Sequence, residues 1–278
     1  MPNAKDLQLD IVNFLLSGAS GSGKTVLACT APGRKFAYTF DPGALMSVRG
    51  WDVPYEEFLP TDTNIKMASL DKKIANPSTA MAERTYNMWE KDFEDKLNMN
   101  WFTDETKEHK GVKGGIKNLI FDSMTTFSDI ATTEIQIRNG RLGLPPDYEH
   151  EFFALISLIS RIVRRLTSLG VTVIMTAHER TKQDELTKRI LSEILVVGQL
   201  RQKLPILFDE VYHLEVREEG GKGKHKVLTR PNSIYQVVAT RLGAGDKFEL
   251  WEDVTVDYNK PIEGQGLAAL IKKARGAK

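Results

Sequence analysis

A glycine-rich segment near the start of the chain most constrains what this sequence can fold into. Residues 18–25 read Gly-Ala-Ser-Gly-Ser-Gly-Lys-Thr, between the apolar run 11–16 and the helix-forming run 26–30. A strand, such a loop and a helix, in that order, turn backbone N–H groups toward an anion, and the helix dipole favours the same charge. The order therefore predicts a phosphate-binding loop in an α/β fold, where strands and helices alternate.

Each position of this loop has a mechanical task. The glycines let the backbone curl inward, the Lys24 ammonium reaches the outer phosphates, and the Thr25 hydroxyl ligates Mg²⁺ at the helix start. The loop therefore predicts a nucleotide site with a bound Mg²⁺, and Lys24 is also a predicted catalytic residue. The predicted nucleotide-binding residues are Gly18, Ala19, Ser20, Gly21, Ser22, Gly23, Lys24 and Thr25.

Length and composition limit the number of domains and the kinds of partner that the chain can have. A chain of 278 residues can form one large α/β domain or two small ones, and the spread of the motifs favours one. The net charge of +1 marks neither nucleic-acid nor membrane binding. The single cysteine, Cys29, lies on an apolar helix face and is expected to be a buried thiol. No apolar run approaches the about 20 residues of a membrane span, so we expect a cytoplasmic protein.

Hydrophobic periodicity predicts a mostly parallel sheet with helices on both faces. Strands are predicted at 11–16, 35–40, 118–121 and 171–175, and helices at 26–30, 78–101, 124–138, 148–169 and 266–275. The segments 44–77, 103–115 and 181–206 are predicted to be irregular, a mobile loop, and mixed and partly helical. Beyond residue 210 the pattern predicts antiparallel hairpins from 210–216, 226–229 and 235–239. We expect a single domain, with a core at 10–245, an insertion at 44–115 and a tail at 246–278.

An acidic residue at the end of the predicted third strand is the second chemical motif. Leu119, Ile120 and Phe121 lead into Asp122. A carboxylate near the Thr25 hydroxyl would hold the hydrated Mg²⁺ that bridges the outer phosphates. The alternative is that Asp122 caps the following helix, and the two roles are compatible.

The residue after this acid is Ser123, so the group that activates water must come from elsewhere. AAA+ machines usually carry a glutamate at that position. Asp41 lies at the tip of the second predicted strand, and strand tips line the ligand crevice of such sheets. Glu179 is the competing candidate, and Asp41 is equally consistent with an ordinary Asp-Pro-Gly turn.

The phosphate loop, Asp41, Asp122-Ser123 and the segment Thr176-Ala-His-Glu together resemble the RecA-like ATPases. The resemblance covers about residues 10–245 and is closest to the compact nucleotide-binding proteins of bacteriophage recombination modules. It implies that His178 senses the terminal phosphate and relays its state to a DNA-binding segment at about 180–205. It also implies a late Lys/Arg pair that reaches a neighbouring subunit's nucleotide. This chain supplies only Arg241, with Ala239 where the lysine would stand.

Physical arguments apply to the same residues. An imidazole at His178 can donate a hydrogen bond to a phosphate oxygen, although a partly buried structural histidine is the alternative. Arg241 suits an arginine finger from a neighbouring subunit, with a surface ion pair as an equally good alternative. Three basic clusters compete as polynucleotide surfaces: the 180–205 segment, the hairpin turn at 222–226 and the C-terminal residues 272–278. The 180–205 cluster consists of Arg180, Lys182, Lys188, Arg189, Arg201 and Lys203.

We therefore predict a RecA-like ATPase with ATP and Mg²⁺ as ligands, assembled as a ring or filament with nucleotide between subunits. The resemblance implies ATP-dependent handling of single-stranded DNA in recombination, annealing or replication, without membrane attachment. Two alternatives stay open. One is a small-molecule or nucleotide kinase, and the other is an ATP-gated assembly or scaffold protein with little turnover.

Overall fold

The computed structural model describes residues 11–60, 84–142, 144–183, 188, 190–244 and 246–276. Its strands are β1 Phe14–Gly18, β2 Lys35–Thr39, β3 Tyr55–Glu57, β4 Glu108–His109, β5 Val112–Lys113, β6 Asn118–Asp122, β7 Thr172–Gln183, β8 Ile190–Ile194, β9 Glu210–Glu219, β10 Lys222–Leu228 and β11 Trp251–Asp253. Its α-helices are α1 Lys24–Cys29, α2 Thr85–Asn98, α3 Met124–Arg138, α4 Phe153–Thr167, α5 Leu200–Lys203 and α6 Gly266–Ala274. Single turns of other helix types occupy Ala44–Val48, Tyr148–Phe152 and Pro205–Leu207.

One sheet organises the described residues, in the order β11-β10-β9-β1-β7-β6-β2-β3. The strands from β9 to β3 along this order pair in parallel, whereas β10 and β11 add an antiparallel edge. The distal half of β7 leaves the sheet and pairs antiparallel with β8. The predicted parallel sheet with antiparallel hairpins toward the C-terminus is confirmed.

Helices cover both faces of the sheet, and side chains alternate between the two resulting cores. Leu15, Phe121 and Met175 face the core shared with α2, α3 and α4. Their neighbours Leu16 and Ile174 face a second core shared with α1 and α6. The near-continuous apolar strands of the sequence follow from this burial on both sides. Cys29 is buried in the second core, as expected, and burial raises its pKa to about 12.

Local predictions outside the central strands had different outcomes. The apolar segment 235–239 is not a strand and makes only an isolated bridge, between Ala239 and Val211. The predicted loop at 103–115 contains the β4–β5 hairpin, and the Trp101 indole donates to the Val112 carbonyl at 2.9 Å. The segment 181–206 is mixed and partly helical, as predicted, since it begins in the β7–β8 hairpin and contains α5. The start of the predicted helix 78–101, including Ser78, lies outside the described residues.

No helix in the described part of the chain is both long enough and apolar enough to cross a membrane.

Candidate nucleotide-binding site

The predicted site residues come together because the parallel strands end at one edge of the sheet. Gly18, the last residue of β1, is in register with His178 on β7. Thr39, the last residue of β2, is in register with Asp122 on β6. β7 lies between β1 and β6, so it sets His178 between the phosphate loop and the acid. A cavity of about 620 Å³ opens at this edge.

The phosphate loop packs tightly against its neighbours. A side chain at Gly18 would place its Cβ 2.5 Å from the Leu214 carbonyl oxygen, so the loop can follow β1 only with glycine here. The Lys24 ammonium is buried and donates to the carbonyls of Gly18 and Ala19, at 2.9 and 2.8 Å. Burial lowers the Lys24 pKa, and the nearby carboxylates oppose that shift. The predicted phosphate-contacting cation is therefore held at the loop.

Thr25 and Asp122 meet directly. The Thr25 hydroxyl donates to Asp122 Oδ2 at 2.6 Å, and the Thr176 hydroxyl donates to Oδ1. Burial raises the pKa of Asp122, and these hydrogen bonds oppose the shift. Asp122 does not cap α3, because Ser123 is the N-cap and its hydroxyl accepts from the Thr126 N–H at 3.4 Å.

The oxygen donors at this point suit Mg²⁺. A hydroxyl and a carboxylate are hard ligands of the kind that this cation prefers, alongside phosphate oxygens and water. The Ser22 hydroxyl of the loop is buried and has no hydrogen-bond partner among the described residues. An anion in the loop would give that hydroxyl an acceptor, so the residues present fit a nucleotide phosphate as well as the metal.

Asp41 lines the cavity. Its carboxylate accepts a hydrogen bond from the Thr126 hydroxyl, and its Oδ2 lies 3.6 Å from His178 Nε2. Burial raises the pKa of Asp41, but hydrogen bonds involving His178, Thr126 and Ser123 together outweigh burial and hold the pKa below its usual value. The carboxylate is therefore ionised at neutral pH. Asp41 also begins the predicted turn, since its carbonyl accepts from the Ala44 N–H at 3.2 Å.

Glu179, the competing candidate, is engaged elsewhere. Successive side chains of a strand point to opposite faces, so Glu179 and His178 diverge. The Glu179 carboxylate accepts from the Ser192 hydroxyl at 2.8 Å and contacts His213 Nδ1 at 2.8 Å. Burial raises the pKa of Glu179, and the His213 and serine hydrogen bonds outweigh it and lower the pKa overall. Of the two acids, Asp41 is the one that lines the cavity.

His178 connects three elements of the site. Its backbone N–H donates to the Thr125 hydroxyl on α3 at 2.9 Å, which fixes the end of the central part of β7. Its side chain remains partly exposed, at 30%, and lines the cavity beside Asp41. An imidazole in this position can exchange hydrogen bonds with a group in the cavity and with the Asp41 carboxylate.

Arg241 lies away from this chain's phosphate loop. Its guanidinium is paired with Asp209, and its backbone N–H donates to Glu210 Oε1 at 2.7 Å. Glu210 begins β9 and is in register with Phe14, the first residue of β1, so Arg241 lies at the amino-terminal edge of the sheet. Its side chain is 66% exposed.

The predicted DNA-contacting residues separate into two groups. Arg180 and Lys182 lie on the distal half of β7, and Lys188 follows in the same hairpin. Arg201 and Lys203 lie on α5. Glu193 of β8 joins the groups, because it contacts Arg180 at 3.2 Å and Arg201 at 3.6 Å. Arg189 lies outside the described residues.

Two parts of the cavity wall were not predicted from the sequence. His225, which the sequence placed in a basic hairpin turn, reaches the phosphate loop, where its Nδ1 lies 3.0 Å from the Ser22 carbonyl oxygen. Residues 254–258, expected to belong to a tail, supply Val254, Thr255, Val256 and Tyr258 to the wall. Neither contact has a local sequence signal, because β10 and β11 reach the loop only through the folded sheet.

Comparisons with known proteins give one family match and one distant structural similarity. No curated protein sequence matches the chain. A KaiC-like protein from the hyperthermophilic archaeon Pyrococcus horikoshii OT3 superposes with a TM-score of 0.38 and 15% identity, covering 78% of this chain and 77% of that one. The family model of the AAA domain, AAA_24, matches residues 12–236, a range that includes the phosphate loop, Asp41, Asp122 and His178. The chain therefore belongs to the AAA domain family and is a P-loop ATPase.

Proposed function

We propose that this protein hydrolyses ATP in the presence of Mg²⁺ and couples the reaction to single-stranded DNA in phage-type recombination, annealing or replication. The observation that carries the proposal is the position of His178. It lies beside Asp41 at the cavity, on the same strand that continues into the basic β7–β8 hairpin. A change in the position of His178 at the cavity can therefore be transmitted to the hairpin along β7.

The hydrolysis roles follow from the contacts. The phosphate loop and Lys24 hold the phosphates, and Thr25 and Asp122 hold Mg²⁺, which when bound neutralises charge on the outer phosphates. Asp41 is ionised and lines the open cavity, so it orients the attacking water. His178 responds to the terminal phosphate through its ring nitrogen and through Asp41.

The DNA role rests on charge and position. Lys182 and Lys188 are exposed on the hairpin, whereas Arg180 and Arg201 are paired with Glu193. Exposed lysines contact phosphates without sequence preference, and each contact adds to the salt dependence of binding. We assign the hairpin as the DNA-contacting element, with the exposed Lys182 and Lys188 on it and with Arg180, Arg201 and Lys203 as further cations of the same surface.

Assembly completes the proposal. Arg241 is distant from its own phosphate loop and exposed, so it would act on the nucleotide of a neighbouring subunit in a ring or filament. It would then exchange its Asp209 partner for a phosphate oxygen. Because residue 239 is alanine, Arg241 would be the one cation of the expected Lys/Arg pair to reach the neighbouring subunit's nucleotide.

One experiment separates the candidate functions: the ATPase rate with and without single-stranded DNA, measured together with particle mass. We expect DNA to raise the rate and to bind in an ATP-dependent, salt-sensitive manner to an oligomer. A Lys24→Ala variant is the control for the site and should lose nucleotide binding. ATP turnover that requires a small-molecule acceptor would instead indicate a kinase. Binding without turnover, in the presence or absence of DNA, would indicate a scaffold.

A further inference from the structure

The nucleotide cavity has a charged part and an uncharged part. The charged side chains that line it are Lys24, Asp41 and Asp122, at the phosphate loop and at the tips of β2 and β6. Another part of the wall carries no charged side chain, and its residues are Val26 and Leu27 of α1, Ala44, Val254, Val256 and Tyr258. A nucleoside triphosphate is divided in the same way, with charge on its phosphates and none on its base and sugar. The uncharged part of the wall therefore matches the nucleoside.

The residues that flank the phosphate loop come from opposite sides of β1 in the sheet. Strands β7 and β6, which carry His178 and Asp122, lie on one side of β1. Residues 254–258 follow β11, which lies on the other side of β1, beyond β9 and β10. A triphosphate whose last phosphate lies beside Asp122 and His178 would therefore extend its base toward 254–258.

The backbone on both sides of Tyr258 is held by hydrogen bonds. The Lys260 N–H donates to the Asp257 carbonyl at 3.1 Å, and the Asn259 N–H donates to Asp257 Oδ1 at 3.0 Å, which closes a turn around Tyr258. The Gln265 side chain accepts from the Asp257 N–H at 2.8 Å and donates to the Asp257 carbonyl at 3.1 Å. The position of Tyr258 is therefore set by the fold before any nucleotide binds.

The ring of Tyr258 has one neighbour and a large open surface. It lies 5.9 Å from the ring of Trp51, which itself packs against the core shared with α1. Even so, Tyr258 is 59% exposed, and it is the one tyrosine, phenylalanine or tryptophan among the described residues that line the cavity. An aromatic ring that is fixed in place and open toward a cavity offers a flat surface on which a second ring can stack.

We propose that Tyr258 stacks on the base of the bound nucleotide, so that the uncharged part of the cavity is a nucleoside subsite backed by Trp51. The inference rests on the proposed function, because it needs ATP in the cavity. It assigns to Tyr258 the part of the affinity that comes from the base, whereas the phosphate loop supplies the part that comes from the phosphates. Stacking uses the face of the base, which every nucleobase presents.

The test compares two ligands that share their phosphates and differ in the nucleoside. Isothermal titration calorimetry of the full chain, with Mg²⁺, measures the affinity for ATP and for inorganic tripolyphosphate. Wild-type protein should bind ATP at least about 10-fold more tightly than tripolyphosphate. Tyr258→Ala should weaken ATP binding by about 10-fold, within the range found when an aromatic side chain that stacks on a base is removed, and should leave tripolyphosphate binding unchanged.

Matched variants separate stacking from other effects. Tyr258→Phe keeps the ring and should bind ATP as the wild type does, whereas Tyr258→Leu keeps an apolar side chain beside Trp51 without the ring and should resemble Tyr258→Ala. Tyr148→Ala removes a tyrosine that is 58% exposed outside the cavity and should change neither affinity.

Three results would overturn the proposal. They are equal wild-type affinities for ATP and tripolyphosphate, unaltered ATP binding in both Tyr258→Ala and Tyr258→Leu, and an equal loss of both ligands in these two variants, which would indicate a disturbed phosphate loop. Wild-type protein that binds neither ATP nor tripolyphosphate would instead refute the proposed function.

Discussion

At the scale of the residue, the two acids Asp41 and Glu179 differ in what surrounds them rather than in their chemistry. Both are partly or largely buried, and hydrogen bonds lower the pKa of each. Asp41 has its remaining surface on the cavity, whereas Glu179 is held by Ser192 and His213 behind the strand. Of the two, Asp41 is the one that lines the cavity, so we propose Asp41 as the residue that activates water.

Asp41→Asn should therefore lower kcat by about 100-fold or more, because the amide can no longer accept a proton, while ATP affinity changes little. The matched variant Glu179→Gln keeps a side chain of the same length and should retain most of the rate. Steady-state ATPase assays with both variants decide the assignment. A larger loss of kcat for Glu179→Gln than for Asp41→Asn would exchange the two roles.

The contact of His225 with the phosphate loop is one that could not be predicted from the sequence. The phosphate loop could be predicted because its residues are contiguous and their types are dictated by their tasks. Asp122 and Asp41 could be proposed because each follows an apolar strand. His225 and Ser22 are 203 positions apart, and their contact depends on two strand pairings that no local pattern encodes.

At the scale of the element, a buried charge network joins α2 to the sheet edge. Lys96 is fully buried, forms ion pairs with Asp92 and, at 3.4 Å, with Glu56, and lies over the rings of Phe36 and Trp101. Glu56, Asp92 and His109 are close enough to share a metal ion, but the Lys96 ammonium already supplies a cation there. The network is therefore structural.

Within this network Asp92 holds the most partners. It accepts from the Tyr38 hydroxyl at 2.8 Å and contacts His109 and Lys110, each at 2.9 Å. Burial raises the pKa of Asp92, but hydrogen bonds with Glu56, Lys96 and Lys110 outweigh burial and lower it well below its usual value. A carboxyl with a depressed pKa stabilises the fold above the unfolded-state pKa of about 3.9, and this contribution is lost as the pH falls below it.

Asp92→Leu should lower the free energy of unfolding by about 3–5 kcal/mol, because Lys96 would stay buried with Glu56 as its remaining carboxylate partner. The exposed Asp95→Ala on the same helix should change it by less than about 0.5 kcal/mol. Urea unfolding measures both. Wild type should also lose stability below about pH 4, and this loss should be smaller in the leucine variant. Equal unfolding free energies for the two variants would mean that the network contributes nothing.

The β7–β8 hairpin carries the second prediction at this scale. Replacing both Lys182 and Lys188 with alanine should weaken single-stranded DNA binding and reduce the salt slope by about 0.7 for each DNA phosphate that a lysine no longer neutralises. The DNA-independent ATPase rate should not change, because neither lysine lines the cavity. Lys91→Ala, on the exposed side of α2, is the control. Unaltered DNA affinity in the double variant would remove the hairpin from the DNA-binding surface.

The elements themselves could be predicted to different degrees. Helix α3 begins and ends where the sequence indicates, because Ser123 caps it and Gly140 follows its last turn. Helix α2 packs on the core through the buried aromatic side chains of Tyr86, Trp89 and Phe93. Propensity could not exclude a strand at 235–239, since whether an apolar run becomes a strand depends on its tertiary packing rather than on its own sequence.

At the scale of the whole molecule, the nucleotide cavity and Arg241 lie at opposite edges of one sheet. A head-to-tail assembly brings such edges together, and heterologous contacts of this kind generate rings or filaments. One subunit would then supply the phosphate loop and the next would supply the arginine.

Mixing two inactive proteins tests this arrangement. Arg241→Ala should keep ATP binding and lose assembly-dependent hydrolysis, by about 10³-fold for an arginine finger. Mixed with an Asp122→Ala partner, it should regain activity at interfaces that combine an intact loop with an intact arginine. Arg230→Ala removes another exposed arginine, which pairs with Asp246, and should leave the rate unchanged. If mixing restores no activity while the assembly persists, Arg241 serves only its own subunit.

The cavity wall at 254–258 has a consequence for how the chain resists proteolysis. The family match ends at residue 236, yet Val254 and Tyr258 line the same cavity as the phosphate loop. Helix α6 also packs near the end of α1, where the Thr30 hydroxyl accepts a hydrogen bond from the Leu267 N–H at 2.8 Å. A nucleotide bound in the cavity would contact both the phosphate loop after β1 and the segment 254–258 after β11. Nucleotide should therefore slow cleavage of the C-terminal third of the chain by a protease, because a ligand that binds only the folded form stabilises every segment that lines its site.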